Sequence, residues 1–252
     1  MKILYRIYQL FVAFPILLIA TVLTCVFTII GCTVGRASVW SYWPAHIWSR
    51  LMCHVMLLPV HVEHRGMLSP TQSYVFVANH QGPYDIFLVY GFLGRHFKWM
   101  MKKQLRNIPL VGKACESAGH IFVDKSGPKS IQRTCDNARR VLRDGASLVV
   151  FPEGARTFTG HMGIVRRGAF QWADELQLPV VPVTIDGTFD VLPRQKGFNF
   201  LTWHPLRLII HEPIQSHGQG AGDIKEVMSK SYDTIMSALP EEYQGYVENK
   251  DQ

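Results

Sequence analysis

The chain has 252 residues, 48% of them hydrophobic and 18% charged, with a formal net charge of +7 at pH 7. That length accommodates one α/β domain with an adequate core plus a membrane-associating extension. The basic balance calls for an anionic partner, and with no zinc-finger spacing, aromatic RNA-binding signature or recognition-helix pattern, we expect no nucleic acid but lipid or a phosphate-bearing ligand. Five cysteines, at 25, 32, 53, 115 and 135, form no paired framework, so a reducing compartment is expected.

The first element is apolar. Residues 7–35 lie between Arg6 and Arg36 without a charged side chain. As a helix this run extends roughly 44 Å at about 1.5 Å per residue, more than the ~30 Å hydrocarbon layer requires. It is too long for a cleaved signal peptide, although Ile29-Ile30-Gly31-Cys32 is similar to a lipoprotein cleavage box. Pro15 and Gly31 are places where it can kink or end. Lys2 and Arg6 before it balance Arg36 and Arg50 after it, which is consistent with both ends on the cytoplasmic face of the inner membrane. From about Ser38 to Leu58, Trp40, Tyr42, Trp43 and Trp48 mix with His46, Arg50 and His54 at helical spacing. A helix lying in the lipid interface has this composition, and so does an ordinary core-facing helix. We expect residues 1–58 to be a membrane-anchoring two-helix segment, the first helix embedded and the second flatter.

From residue 59 to 252 the pattern is that of a single α/β domain with a largely parallel sheet flanked by helices. Strands are expected at Val60–Glu63, Tyr74–Ala78, Lys98–Met101, His120–Val123, Ser147–Phe151, Val180–Ile185 and Leu206–His211. Helices are expected at Ile86–Leu93, Leu110–Ala118, Ser130–Arg143, Ala169–Gln177 and Ile224–Leu239. Tyr74–Ala78 and Leu148–Phe151 are continuous apolar runs, as strands buried on both faces should be. His217–Gly222 is a flexible loop, not a domain boundary. Ligands of open α/β sheets bind beyond the carboxyl ends of strands. His80, Lys125 and Glu153 each follow a strand end, so separate segments can converge on one crevice.

His80 and Asp85 are five residues apart, too far round for one helix face, but Gln81-Gly82-Pro83-Tyr84 supplies a turn that brings them together. Asp85 can then accept from one ring nitrogen of His80, fix its tautomer and stabilise the imidazolium formed when the other nitrogen takes a proton. Capping of the following helix by Asp85 is compatible with that role. In Phe151-Pro152-Glu153-Gly154-Ala155-Arg156, Gly154 permits close backbone approach to a ligand and Arg156 can grip a phosphate bidentately. The basic cluster Lys102-Lys103-Gln104-Leu105-Arg106 has, by itself, the look of a solvated face. Two histidine-rich sets, His54, His61 and His64, or His211, Glu212 and His217, lack a recognised ligand spacing, so no metal is expected.

Four segments, Asn79–Asp85, Gly119–Lys125, Phe151–Thr157 and Val180–Val183, together resemble the four sequence blocks of the 1-acylglycerol-3-phosphate acyltransferase family, in the family's order and over roughly residues 75 to 188. The resemblance implies a catalytic dyad at His80 and Asp85. It also implies that Lys102 and Arg156 hold the acceptor's phosphate, with Lys125, Glu153 and Gly154 in the substrate-binding blocks. Gln104, Lys125 and Ala155 stand where the family usually has Glu, Arg, and Thr or Ser. The expected reaction moves an acyl group from acyl-CoA or acyl carrier protein to the sn-2 hydroxyl of lysophosphatidate. No cofactor beyond that co-substrate is implied, and no Gly-x-Ser-x-Gly elbow is present to form an acyl-enzyme.

Overall fold

The computed structural model describes residues 2–64, 66–124, 126–143, 146–195 and 197–248. All seven expected strands form: β1 (Val60–Glu63), β2 (Val75–Ala78), β3 (Phe97–Lys102), β4 (Ile121–Val123), β5 (Ser147–Val150), β6 (Val180–Asp186) and β7 (Leu206–Ile210). They make one sheet in the order β1-β7-β6-β2-β5-β3-β4. Every pairing is parallel except that of β6 with β7. Five strands from β6 to β4 therefore run one way, and β7 and β1 run the other.

Side-chain alternation splits the core between two faces. Phe76, Ala78, Val149, Val181 and Val183 point into one cluster, shared with Leu88 and Val89. Val75, Val77, Leu148 and Val180 point into the other, shared with Ala138, Phe170 and Val227. β2 and β6 are buried along their whole length, and burial on both sides explains why β2 reads as an unbroken apolar run.

Among the described residues, seven helices of seven or more residues complete the layers: α1 (Lys2–Val34), α2 (Trp43–Val55), α3 (Asp85–Phe92), α4 (Val111–Ser117), α5 (Pro128–Arg143), α6 (Gly168–Glu175) and α7 (Ala221–Ser237). The helix α1 has 33 residues and a mean hydropathy of 2.7, long and apolar enough to cross a membrane. Its turn widens to π geometry at Gln9–Ala13, just before Pro15. A proline ring crowds the preceding turn and leaves a carbonyl without its donor, and a widened turn relieves both.

The expectation of two anchoring helices gives way here to one apolar helix. The second, α2, packs between α1 and α3. It buries His46, Ser49 and Cys53, and His46 Nδ1 lies 3.0 Å from the Tyr90 carbonyl. The aromatic and basic residues of this segment serve internal contacts as much as an outer face, which is why composition alone could not separate an interfacial helix from a core-facing one. Only Trp43 and Ile47, 47% and 63% exposed, keep an apolar outer face on α2.

Candidate active site

The loops after β2, β5 and β6 leave the same edge of the sheet, because these strands are parallel neighbours. Asn79, fully buried, continues the β2–β6 pairing with its side chain: Nδ2 donates to the Ile185 carbonyl at 2.7 Å and Oδ1 accepts from the Ile185 N–H at 2.8 Å. His80 is thereby fixed at this edge of the sheet. Its ring stacks on Phe151, with centroids 4.0 Å apart and planes 7° from parallel.

The turn expected between His80 and Asp85 forms. Asp85 is the first residue of α3 and is fully buried. Its Oδ2 lies 2.7 Å from His80 Nδ1 and accepts from the Gly82 N–H at 3.0 Å. Its Oδ1 accepts from Thr188 Oγ1. A carboxylate can only accept, so His80 carries its proton on Nδ1 and keeps the Nε2 lone pair. Gly82 is required by crowding, since a Cβ there would sit 2.5 Å from the Thr188 carbonyl oxygen.

Thr188 lies in a single helical turn, Thr188–Val191, just past β6. Sequence reasoning missed it. Nothing in its surroundings distinguishes it from any residue after a strand, and only the β2–β6 adjacency brings it to Asp85. Asn79, quoted in the first block without a role, was legible in retrospect as a buried amide between a strand and a histidine.

Glu153 is held inside the assembly. It is 9% exposed, its Oε1 accepts the His80 N–H at 2.8 Å and its Oε2 accepts the Gly163 N–H at 2.7 Å. Expected among the substrate-binding residues, it braces the backbone of His80. Burial pushes its carboxyl up to about 7, against the two N–H donors, which favour the charged form. The Thr157 N–H donates to the His80 carbonyl at 2.9 Å, so the histidine's backbone is gripped on both sides by the Phe151–Thr157 loop.

Gly154 is exposed with φ +77°, a conformation that favours glycine. Arg156 is half-buried; desolvation first, and then Arg194, lower its pKa, while Asp85 raises it. It therefore lies within electrostatic reach of the dyad. Lys102 ends β3 at the same sheet edge but is exposed and, among the described residues, makes no hydrogen bond or ion pair to the dyad. Lys125 lies outside the described residues. Among those residues, no group of three or more His, Cys, Asp and Glu side chains converges as a metal site would need.

The model of the Acyltransferase family matches residues 59–186. The chain belongs to this family. It is 35% identical over 147 residues to the chloroplastic 1-acyl-sn-glycerol-3-phosphate acyltransferase of Arabidopsis thaliana, covering 58% of this chain and 40% of that one. Against the 1-acyl-sn-glycerol-3-phosphate acyltransferase alpha of Ovis aries it is 34% identical over 195 residues, covering 76% of this chain and 67% of that one. The chain thus spans about 40% of the length of the Arabidopsis relative and of a Brassica napus one. In structure it is similar to the 1-acyl-sn-glycerophosphate acyltransferase of Thermotoga maritima. The TM-score is 0.74 at 24% identity, over 93% of this chain and 95% of that one, a likeness of fold.

Proposed function

We propose that this acyltransferase-family chain moves a fatty acyl group from a thioester donor, acyl-CoA or acyl carrier protein, to the sn-2 hydroxyl of 1-acyl-sn-glycerol 3-phosphate, giving phosphatidate. The observation that carries this reading is the 2.7 Å pair between His80 Nδ1 and a fully buried Asp85 carboxylate, with Arg156 in its field. In this reading His80 Nε2 takes the hydroxyl proton as the oxygen attacks the thioester carbonyl. The tetrahedral oxyanion collapses, the carbon–sulfur bond breaks, and the imidazolium returns its proton to the leaving thiolate. Asp85 holds the tautomer and stabilises the transient imidazolium. Arg156, Lys102 and Lys125 hold the acceptor's phosphate, Gly154 lets the substrate approach the backbone, and Glu153 supports His80 from behind.

The names of the Arabidopsis and sheep relatives support the choice of acceptor. The exposed apolar side of α1 supports a membrane setting, which we take as the cytoplasmic face of the inner membrane, with membrane lipid as the surrounding partner and no nucleic acid. Residues 1–58 then serve as the anchoring part and 59–252 as the acyltransferase domain. The test is an acyl-transfer assay on the purified full chain with both donors against lysophosphatidate, other lysophospholipids and glycerol 3-phosphate. Lysophosphatidate is the expected best acceptor. Transfer to the others with none to lysophosphatidate overturns the assignment.

A further inference from the structure

Three arginines lie on or against the loop from Phe151 to Phe158: Arg156 within it, Arg166 beside Gly154 and Arg194 at Arg156 and Phe158. Arg194 donates from Nη1 to the Arg156 carbonyl at 2.8 Å, and its Cζ lies 3.9 Å from the centroid of the Phe158 ring. Its position and its plane are therefore both set. The Arg166 guanidinium lies beside Gly154, where a Cβ would meet its Nε at 3.6 Å and its Cζ at 3.7 Å. Among the described residues, none of Arg156, Arg166 and Arg194 forms an ion pair within 4.0 Å. The nearby carboxylates are engaged elsewhere: Glu153 with the His80 and Gly163 N–H groups, Asp85 with His80, Gly82 and Thr188. Arg194 is close enough to Arg156 for the two charges to repel. A carbonyl and an aromatic ring, in place of acids, hold the Arg194 charge beside Arg156.

We propose that Arg194 and Arg156 form a two-armed clamp for a phosphate monoester, and that Arg194 is the arm that separates a monoester acceptor from a diester one. The inference rests on the acyl-transfer reading and names a specificity residue for it. A phosphate monoester carries about −1.5 to −2 charge near neutral pH and offers three terminal oxygens. A diester carries a single charge on two such oxygens. Planar guanidinium groups bind these oxygens in pairs. The second guanidinium therefore adds more to the binding of a monoester than to that of a diester.

The test uses the full chain in uncharged mixed micelles with saturating acyl-CoA, comparing lysophosphatidate with 1-acyl-lysophosphatidylglycerol. Arg194→Gln should raise the apparent KM for lysophosphatidate roughly 10-fold, the lower end for a charge-assisted contact because Arg194 is only half-buried. The KM for the diester should change less than about 3-fold and kcat less than about 2-fold, as expected for a ground-state contact. Arg194→Lys, which keeps the charge without the fork, should fall between, and it stands in if the Gln variant does not fold. A KM ratio between the two acceptors that neither variant changes, or a loss confined to kcat, makes Arg194 a strut for the loop and overturns the clamp. Binding of both lysolipids, followed by the thermal unfolding midpoint of the same proteins, separates the two readings. If wild-type protein transfers acyl groups to neither acceptor but its preferential stabilisation by lysophosphatidate disappears in Arg194→Gln, the clamp stands and the acyl-transfer reading fails. Equal stabilisation by both lysolipids in wild-type protein removes the clamp.

Discussion

Every polar atom of the dyad's carboxylate has an assigned partner: Oδ2 serves His80 and Gly82, and Oδ1 serves Thr188. His80→Ala should abolish transfer, about 10²- to 10⁴-fold, with folding retained, because it removes the base proposed for the hydroxyl; near-normal turnover in that variant would sink the mechanism. Thr188→Val keeps the side-chain shape but leaves a fully buried carboxylate oxygen without its donor. A lost charge-assisted bond of about 1.5–3 kcal/mol, expressed as a looser Asp85, should lower kcat roughly 10- to 100-fold with little change in acceptor KM. Thr188→Ser should restore most of it, and steady-state kinetics on the two variants decides. Glu153 makes a prediction in pH. Its folded-state pKa, raised to about 7 from 4.5, means that the folded protein binds a proton more readily than the unfolded chain. The associated stability is fully present below about pH 4.5 and is lost as pH rises through 7, on the order of 3 kcal/mol in all. Glu153→Gln should flatten the decline of the melting temperature between pH 5 and 8 relative to wild type. An unchanged slope would mean that Glu153 stays ionised across that range.

At the scale of elements, the strands were readable because both-face burial writes unbroken apolar runs into the sequence, as in Val75–Ala78 and Leu148–Val150. The placement of His80 and Glu153 was readable for a related reason: each follows a strand end, and parallel neighbours deliver such residues to one edge. Asp85 was readable from the turn that returns it to His80, whereas the bracing role of Glu153 was not readable. Thr188 and Arg194 were not, since their roles depend on which loops meet across that edge, a matter of strand order that no local pattern records. The reversal of β7 against β6 is likewise a product of chain routing. The attachment of α1 was illegible for another reason. Gln9 sits within an apolar run, yet its amide clasps one residue far along the chain, with Nε2 donating to the Leu201 carbonyl and Oε1 accepting the Leu201 N–H, both at 2.9 Å. Gln9→Leu fills the space but leaves two backbone groups unpaired. It should destabilise the α1 attachment by about 1–3 kcal/mol, seen as faster amide exchange at Leu201 and Thr202 with the β2–β6 core unaffected. Unaltered protection at Leu201 would show that the clasp contributes nothing.

At the scale of the whole molecule, the seating of α1 bears on how the chain meets a membrane. Tyr5 and Tyr8 donate to the carbonyls of Met56 and Val55, both at 2.7 Å, and Trp48 Nε1 donates to Thr21 at 2.9 Å. Ala13, Leu17, Cys25, Thr28 and Gly31 are buried along the same stripe, with Trp40 lying against Gly31. The helix is therefore seated on the domain from its first turn to its last, while Phe11, Ile19 and Phe27 stand 71%, 61% and 53% exposed on the other side. A helix crossing the bilayer would carry this seated stripe, with the domain surface attached, through the hydrocarbon, where polar backbone and charged loops are costly. Immersion of the outer side in a single leaflet avoids that cost. It also keeps an acceptor's acyl chain in lipid while its headgroup reaches His80 and Arg156. In a background lacking the native cysteines, Ile3→Cys, at a position 76% exposed, should react with an impermeant thiol reagent only from the side that carries the domain. Sealed right-side-out and inverted vesicles give the two arms. Labelling from the opposite side alone means that α1 spans the bilayer, which requires it to leave the seat formed by Met56, Val55 and Trp48.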